Sequence, residues 1–482
     1  MGTLQHRADA VFTLTRIPRR IAVAGDPPGW RDDLEERGIE VVGPDDPADA
    51  LVTTEAGIAG RAPRQTRDVI VDGDPAASSV LGGRTVTRLL TLPVWGTPIA
   101  IVDLAQRRAA AYGVQHGIVH AEAWRAVRNR VAARLIRHGL LPTPKTLITV
   151  GGEAGSPAFV ASACNELGLG QRDWLMLVSL GAIVRRNAFL LFPPGSDEPA
   201  EALKFARLPG YSSQFDRDEA AANLIASTGG AVAAHAPEHI GRFELDGYHA
   251  SLETAARGQK LAAFLRRPIS RRRKLQVLDS VADWLIQVAR ETAAPVEALA
   301  AERERFEHKV LPFWADRGVD PDLARLLPPI PPTFQHWDVA EENIIVSGDS
   351  FVVVDWEFAQ RHGLPLADLM FFAVHVLRIL DGQLTLEERD RHFVDVLTGG
   401  APSSPILFGW VRRLVEALDL PPESVATLAT LNWLDRGKLS KEEHVRAETL
   451  GGVPLADSFA ERASVVWLEH PELGMHWNAW RA

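Results

Sequence analysis

Cysteine is almost absent from this 482-residue chain: Cys164 stands alone, which excludes an internal disulfide framework and any zinc site built from clustered thiolates. A buried small side chain is the default for it. Lysine is scarce as well, with seven against 45 arginines, and this arginine-over-lysine, alanine-rich usage reads as the codon bias of a GC-rich genome. No uninterrupted apolar run reaches the roughly 18 residues that a spanning helix needs. The opening Met1-Gly2-Thr3-Leu4-Gln5-His6-Arg7 lacks a signal-peptide core, so a cytoplasmic protein without membrane contact is expected. A basic excess is missing too: the formal charge of −10 argues against a general nucleic-acid binder and suits a cationic or neutral small partner. No internal repeat or low-complexity tract breaks the pattern.

What remains is ordinary globular composition, 46% hydrophobic and 24% charged, in a chain long enough for two or three domains. Its beginning alternates short apolar runs of strand length: Ile21 to Gly25, Ile39 to Val42, Ala50 to Thr53 and Asp68 to Asp72, with a helix-like Trp30 to Arg37 between the first two. This predicts a small α/β, Rossmann-like domain. The turn Gly25-Asp26-Pro27-Pro28-Gly29 lacks Gly-x-Gly-x-x-Gly, and its prolines remove N–H donors that a phosphate would want, so no dinucleotide site is assigned. An accessory or structural role is the plain reading of this domain, a second transferase activity the alternative. A helix from Ala121 to His138 places Trp124, Val127, Val131, Leu135 and His138 at helical spacing, while Arg125, Arg128, Arg130, Arg134 and Arg137 crowd the remaining surface. That basic surface is read as a solvated face docked on an acidic neighbour, with a polyanion contact as the alternative. Breakers then concentrate from Leu141 to Pro144 and from Gly151 to Pro157, marking a linker.

Chemistry concentrates further on. The chain reads Gln335-His336-Trp337-Asp338-Val339-Ala340-Glu341-Glu342-Asn343, and twelve residues after Asn343 the run Phe351-Val352-Val353-Val354 ends in Asp355-Trp356-Glu357. One carboxylate (Asp338) can orient a hydroxyl, while an amide (Asn343) and a second carboxylate (Asp355) can hold Mg²⁺ on nucleotide phosphates. Ile344-Ile345-Val346, the turn Ser347-Gly348-Asp349-Ser350 and the second apolar run predict a β-hairpin with Asn343 and Asp355 on adjacent strands. The segment Gly363-Leu364-Pro365-Leu366-Ala367-Asp368-Leu369 follows. The proline-rich approach Pro328-Pro329-Ile330-Pro331-Pro332 would hold the loop at His336 in one place.

These segments resemble the aminoglycoside phosphotransferase family, which shares the protein-kinase-like fold. The resemblance covers about residues 170 to 400 and implies an α+β, bilobal domain with a β-rich N-lobe and a helical C-lobe, behind the α/β domain. The expected divisions are 1–155 for the accessory domain, 156–255 for the N-lobe and 256–482 for the C-lobe. The resemblance makes Asp338 and His336 the catalytic pair, Asp338 deprotonating the acceptor hydroxyl and His336 bracing the loop. It gives Mg²⁺ to Asn343 and Asp355, and gives the phosphates of ATP or GTP to Lys204, in a strand-like Glu201 to Arg207 and paired with Glu219. Glu357 and Asp368 are expected to fix the loop's shape. A connector at Ser251, Leu252, Glu253 and Thr254 is expected to present backbone atoms to the base. The partners implied are a nucleoside triphosphate and a small hydroxyl-bearing acceptor; nucleic acid and membrane are not, and the oligomeric state is left open.

Two departures stand out. The expected phosphate-covering loop, Ser179 to Asn187, holds a single glycine, with Arg185 and Arg186 as exposed strand arginines or as phosphate ligands. Trp337 stands where family members often carry glycine or another small residue, and is expected to narrow the acceptor pocket. Asp381, Glu387, Glu388, Asp435, Glu442 and Glu443 are solvated helix acids or attract an amine-bearing acceptor. Trp467, Trp477 and Trp480 pack on the core or stack on a sugar. The rival readings are a catalytically silent nucleotide-binding or scaffold protein, motivated by the poor loop, and a group transferase acting through the N-terminal domain.

Overall fold

The computed structural model describes residues 7–14, 16–25, 30–60, 62, 66–72, 77–81, 83–92, 100–116, 123–140, 147–152, 158–178, 186–449 and 458–479. They fall into two compact units, one of residues 1–215 with 238–257, the other of 216–237 with 258–449 and the C-terminal helices. The first is rich in strand and the second in helix.

One sheet runs through the first unit. Its strands are β1 (Arg20–Ala24), β2 (Glu40–Val42), β3 (Ala50–Thr53), β4 (Asp68–Asp72), β5 (Thr85–Leu92), β6 (Ala100–Asp103), β7 (Leu147–Gly152), β8 (Asp173–Leu177), β9 (Asn187–Phe192), β10 (Glu201–Phe205), β11 (His239–Leu245) and β12 (Tyr248–Thr254). Their order is β11-β12-β10-β9-β8-β6-β5-β7-β4-β3-β1-β2. β1 to β4 pair in parallel, as the βαβ-like beginning predicts. The expected break near residue 155 is not there, however. β7 lies antiparallel between β4 and β5, and β6 pairs with β8 through Ala100↔Leu177, so the expected accessory domain and N-lobe share one sheet. The physical reason is edge satisfaction: the outer edge of the β5–β6 hairpin carries unpaired N–H and C=O groups, and β8 pairs with them. One core crosses the same divide, joining Ile21, Val52 and Ile70 to Trp174, Phe189, Leu203 and Phe205.

A buried ion network pins the N-terminal residues to these later strands. Asp9 Oδ1 accepts from Arg37 (2.5 Å) and from Asn187 Nδ2 (2.9 Å), and its Oδ2 accepts from Arg207 (2.8 Å). Arg207 Nε also donates to Asn187 Oδ1 at 3.2 Å, and Arg37 reaches Asp33 at 2.9 Å. All five side chains are buried. The two guanidiniums hold the Asp9 carboxyl below its usual range against the opposing effect of burial.

The helix Ala123–Arg137 departs from its predicted face. Val131 and Leu135 are exposed, at 55% and 36%, while Ala133, Ile136 and Asn129 are buried. Small residues let the helix approach its neighbour closely, and that outweighs the larger apolar stripe one step around it.

In the second unit, β13 (Gln259–Lys260), β15 (Ile344–Ser347) and β16 (Ser350–Val353) form a three-stranded sheet, and β14 (Thr333–Gln335) pairs with β17 (Gln360–Gly363). The β15–β16 hairpin is the predicted one, in register Ile344↔Val353. The helix Arg271–Glu291 begins where Ser270 accepts from Arg273 N (3.2 Å) and buries Val277, Leu278, Val281, Leu285 and Val288 on one face. Residues 296–310 form a 3₁₀ turn, a short α-helix and a π turn in succession. Trp467 and Trp477 are buried core residues, while Trp480 lies outside the described residues. No helix among the described residues is long and apolar enough to cross a membrane.

Asp9→Ala removes the carboxylate shared by two buried guanidiniums and is expected to destabilise the protein by about 3–5 kcal/mol. Urea unfolding checks this, and a midpoint within error of wild type would contradict it.

Candidate active site

The predicted loop is built by one carboxylate. Asp368, buried in the first turn of the helix Ala367–Leu380, accepts from His336 N (2.5 Å) on Oδ2 and from Trp337 N (2.9 Å) on Oδ1. Its own N–H donates to Gln335 Oε1 at 3.1 Å, and Gln335 Nε2 donates to Thr333 Oγ1 at 2.7 Å. Gln335 packs so closely on β17 that a Cβ at Gly363 would lie 2.6 Å from its Cγ, so glycine is required there. This is the loop-shaping role expected of Asp368.

His336 is fully engaged with backbone. Asp338 N donates to its Nδ1 (3.1 Å), which leaves the proton on Nε2, 3.2 Å from the Val354 carbonyl that accepts it. Burial pushes its pKa down to about 4, so the ring is neutral and braces the loop against the segment before Asp355. Of the two residues taken as catalytic, only Asp338 thus has a carboxylate suited to receive a proton; His336 positions it.

Asn343 Nδ2 donates to Asp338 Oδ2 (2.7 Å) and to the Asp338 carbonyl (3.0 Å), which turns its Oδ1 away from Asp338. Val354 N donates to the Asn343 carbonyl at 2.8 Å, extending the hairpin by one step and setting Asn343 and Asp355 at its open end. Trp337, Asp355 and Leu366 adopt left-handed backbone conformations, with φ of 68°, 67° and 73°. Such conformations are disfavoured for L-residues with side chains, and they cluster where a site holds its groups against local preference.

Burial raises the pKa of Asp338, and the charge of Asp355 raises it further, while Arg436, His375 and Asn343 act the other way. Two carboxylates that oppose each other's ionisation, beside an amide oxygen, form a hard-oxygen set that fits a divalent cation such as Mg²⁺. Among the described residues no group of three or more His, Cys, Asp or Glu forms a metal cluster.

Two groups had no signature in the motifs. Arg436, in the helix Ser424–Thr449, is buried with its NH1 2.5 Å from the Trp337 carbonyl and its NH2 3.2 Å from Asp368 Oδ1. Its Cζ lies 3.6 Å from the Phe371 ring centroid, and burial lowers its pKa to about 10. Glu341, inside the loop, accepts from His375 Nδ1 at 2.6 Å and lies 3.6 Å from Arg378. Arg436 follows Leu431-Asn432-Trp433-Leu434-Asp435 in the sequence, and nothing in that stretch singles it out.

The remaining predicted residues are placed as follows. Lys204, in β10 of the first unit, has its Nζ 2.8 Å from Glu253 Oε2 of β12, so the strand neighbour supplies an ion-pair carboxylate. Glu219 lies on the helix Ser213–Thr228, in the second unit. Ser251 to Thr254 lie in β12, which is laddered to β10 on one side and β11 on the other, so their backbone groups serve the sheet. Glu357 pairs with Arg217 at 3.1 Å. Ser179 to Arg185 lie outside the described residues, and Arg186 sits 6.0 Å from the Phe215 ring.

The acids suggested for an amine are engaged internally. Asp381 accepts from Ser403 (2.5 Å) and bonds His392 (3.0 Å), and Asp435 pairs with Arg305 (2.5 Å). Glu388 closes a capping box with Thr385, Glu442 pairs with Lys438, and Glu443 lies 3.8 Å from Arg217. The side chain of Glu387 lies outside those described.

A buried carboxylate beside an amide and a second carboxylate, on a braced loop before a hairpin, is a site of the phosphotransfer class. Residues 196–400 match the profile of the Phosphotransferase enzyme family, so the resemblance drawn from the motifs holds across that segment. Among solved structures, the chain is similar to a protein described as an aminoglycoside phosphotransferase from Ralstonia eutropha JMP134, at 14% identity over 64% of this chain and 92% of that one, with a TM-score of 0.36. It is similar also to a choline/ethanolamine kinase family protein from Mesorhizobium loti (16% identity, 64% and 91% covered, TM-score 0.29) and to a glucosamine kinase (11%, 62% and 88%, TM-score 0.32). None of these scores reaches 0.5. A search of curated proteins finds no match.

The neutral burial of His336 has a pH signature. In the unfolded chain its pKa returns to about 6.5, so the unfolded state takes up the proton first as pH falls, and stability is lost between about pH 6.5 and 4. The full loss is worth about 3 kcal/mol. His336→Asn is expected to flatten that part of the stability profile, measured by urea unfolding from pH 7.5 to 4.5; an unchanged slope would contradict a buried neutral ring.

Proposed function

We propose that the chain is a small-molecule kinase, transferring the γ-phosphoryl group of a nucleoside triphosphate, ATP or GTP, to the hydroxyl of a small acceptor with Mg²⁺. The observation that carries this is the Asn343 Nδ2 to Asp338 Oδ2 bond of 2.7 Å, which joins the proton-accepting group to a metal-binding one at the open end of the hairpin. The family match over residues 196–400 supports phosphotransfer as the class of reaction.

In this reading Asp338 orients the acceptor hydroxyl and takes its proton as the oxygen attacks phosphorus. Its raised pKa favours that transfer, because a more basic carboxylate accepts a proton more readily. Asn343 and Asp355 would hold Mg²⁺, which when bound neutralises charge on the β and γ phosphates. His336, Asp368 and Gln335 keep the loop in one conformation, so that little reorganisation accompanies the transfer. Lys204, which pairs with Glu253, and Glu219 are the residues proposed for the nucleotide phosphates. The base is read by the chain after Thr254, where the strand ladder ends.

The test is nucleotide consumption by the purified full chain, with Mg-ATP and Mg-GTP, across aminoglycoside, choline, homoserine and monosaccharide acceptors. Acceptor-dependent ADP or GDP release is expected, with Asp338→Ala and Asp355→Ala each lowering turnover on the order of 10²–10⁴-fold. Thermal stabilisation by Mg-ATP without turnover on any acceptor would replace this reading with a silent nucleotide-binding protein.

A further inference from the structure

We propose that Arg436 is a positioning residue whose guanidinium holds Trp337 in its left-handed conformation and so aims Asp338. For its activity readout this rests on the phosphotransfer reading; its stability readout does not.

The peptide plane between Trp337 and Asp338 is pinned at both ends. Its carbonyl accepts from Arg436 NH1 at 2.5 Å, and its N–H, that of Asp338, donates to His336 Nδ1 at 3.1 Å. The preceding plane is pinned too, since Trp337 N donates to Asp368 Oδ1 at 2.9 Å, the same oxygen that Arg436 NH2 approaches at 3.2 Å. Arg436 NH2 also faces the Ala367 carbonyl at 3.4 Å. One planar fork therefore spans both sides of Trp337.

Such a grip matters because Trp337 is a bulky residue at φ 68°, where contact between Cβ and the carbonyl oxygen disfavours every residue but glycine. Without the fork, relaxation of that φ turns the Trp337–Asp338 plane, and the Asp338 side chain swings with it. The guanidinium also lies 5.2 Å from the Trp337 ring and 3.6 Å from that of Phe371, so the indole helps seat the group that holds its own backbone. Lysine cannot replace it, because a single ammonium lacks the fixed fork that meets a carbonyl and a carboxylate together.

A double-mutant cycle between Arg436→Met and Trp337→Gly tests this, because glycine adopts the left-handed conformation without help. In the wild-type background Arg436→Met is expected to lower kcat for Mg-ATP turnover on the order of 10²-fold, with KM for ATP within about threefold. In the Trp337→Gly background the same change is expected to lower kcat no more than about tenfold, and Arg436→Lys is to behave like Arg436→Met in both. Equal losses in the two backgrounds would overturn the inference and leave Arg436 as a charge partner of Asp368 alone. Should Arg436→Met fail to fold, Arg436→Lys takes its place in the cycle. If no nucleotide turnover sensitive to Asp338→Ala exists, the phosphotransfer reading fails on its own, and the cycle is read from urea midpoints: coupled shifts support the clamp and additive shifts overturn it.

Discussion

Both oxygens of the Asp368 carboxylate are taken by backbone N–H groups of the residues that precede Asp338, and the shape of the site follows from that contact. Hydrogen bonds to a charged acceptor contribute roughly 1.5–3 kcal/mol each, more than an isolated loop of this length can recover from its own backbone. The carboxylate sits in the first turn of a helix, where unpaired N–H groups favour negative charge. Its own N–H is taken by the side chain of Gln335, the residue just before His336. The result is a closed ring of side chain and backbone, in which displacing any member leaves a buried polar group without its partner.

Charge balance around that ring sets what the site can do. Arg436 offsets the burial of Asp368 and acts in the same direction on Asp338, while His336 is kept neutral and adds no charge. Asp355 opposes the ionisation of Asp338, and Arg436 is the largest charge acting the other way. Under the kinase reading proposed above, a divalent ion bound near Asp355 would lower the Asp338 pKa against that coupling.

Much of this was legible in the sequence because the signals are local. The spacing from His336 to Asn343, the turn at Ser347 to Ser350 and the apolar run before Asp355 lie within some twenty residues, and periodicity with turn chemistry is sufficient there. Strands β3 and β4 were likewise visible as apolar runs. What was not legible depends on pairing across distance. Arg436 stands 98 residues after Asp338, and nothing in its neighbourhood says which loop it will clasp. The joining of β6 to β8 is an edge pairing that no local pattern announces. The helix acids failed as acceptor candidates for a related reason: charge in a sequence does not reveal whether an arginine, a serine or a helix cap already answers it.

The continuity of the first unit's sheet bears on what the N-terminal strands are for. Lys204 is held by a carboxylate on the adjacent strand, two residues from its direct partner Ser251, so its ammonium is placed by the pairing of β10 and β12. Those strands are stiff only if their neighbours are, and β9 begins at Asn187, which bonds Asp9, while Arg207, just past β10, bonds the same carboxylate. One end of the β9–β10 pair, where Asn187 faces Phe205, is thus tied to a single residue near the start of the chain. A buried ion network is a weak source of net stability but a strong source of register, because every alternative alignment strands a charge in the core. On that ground the segment that carries Asp9 constrains the alignment of β9 and β10.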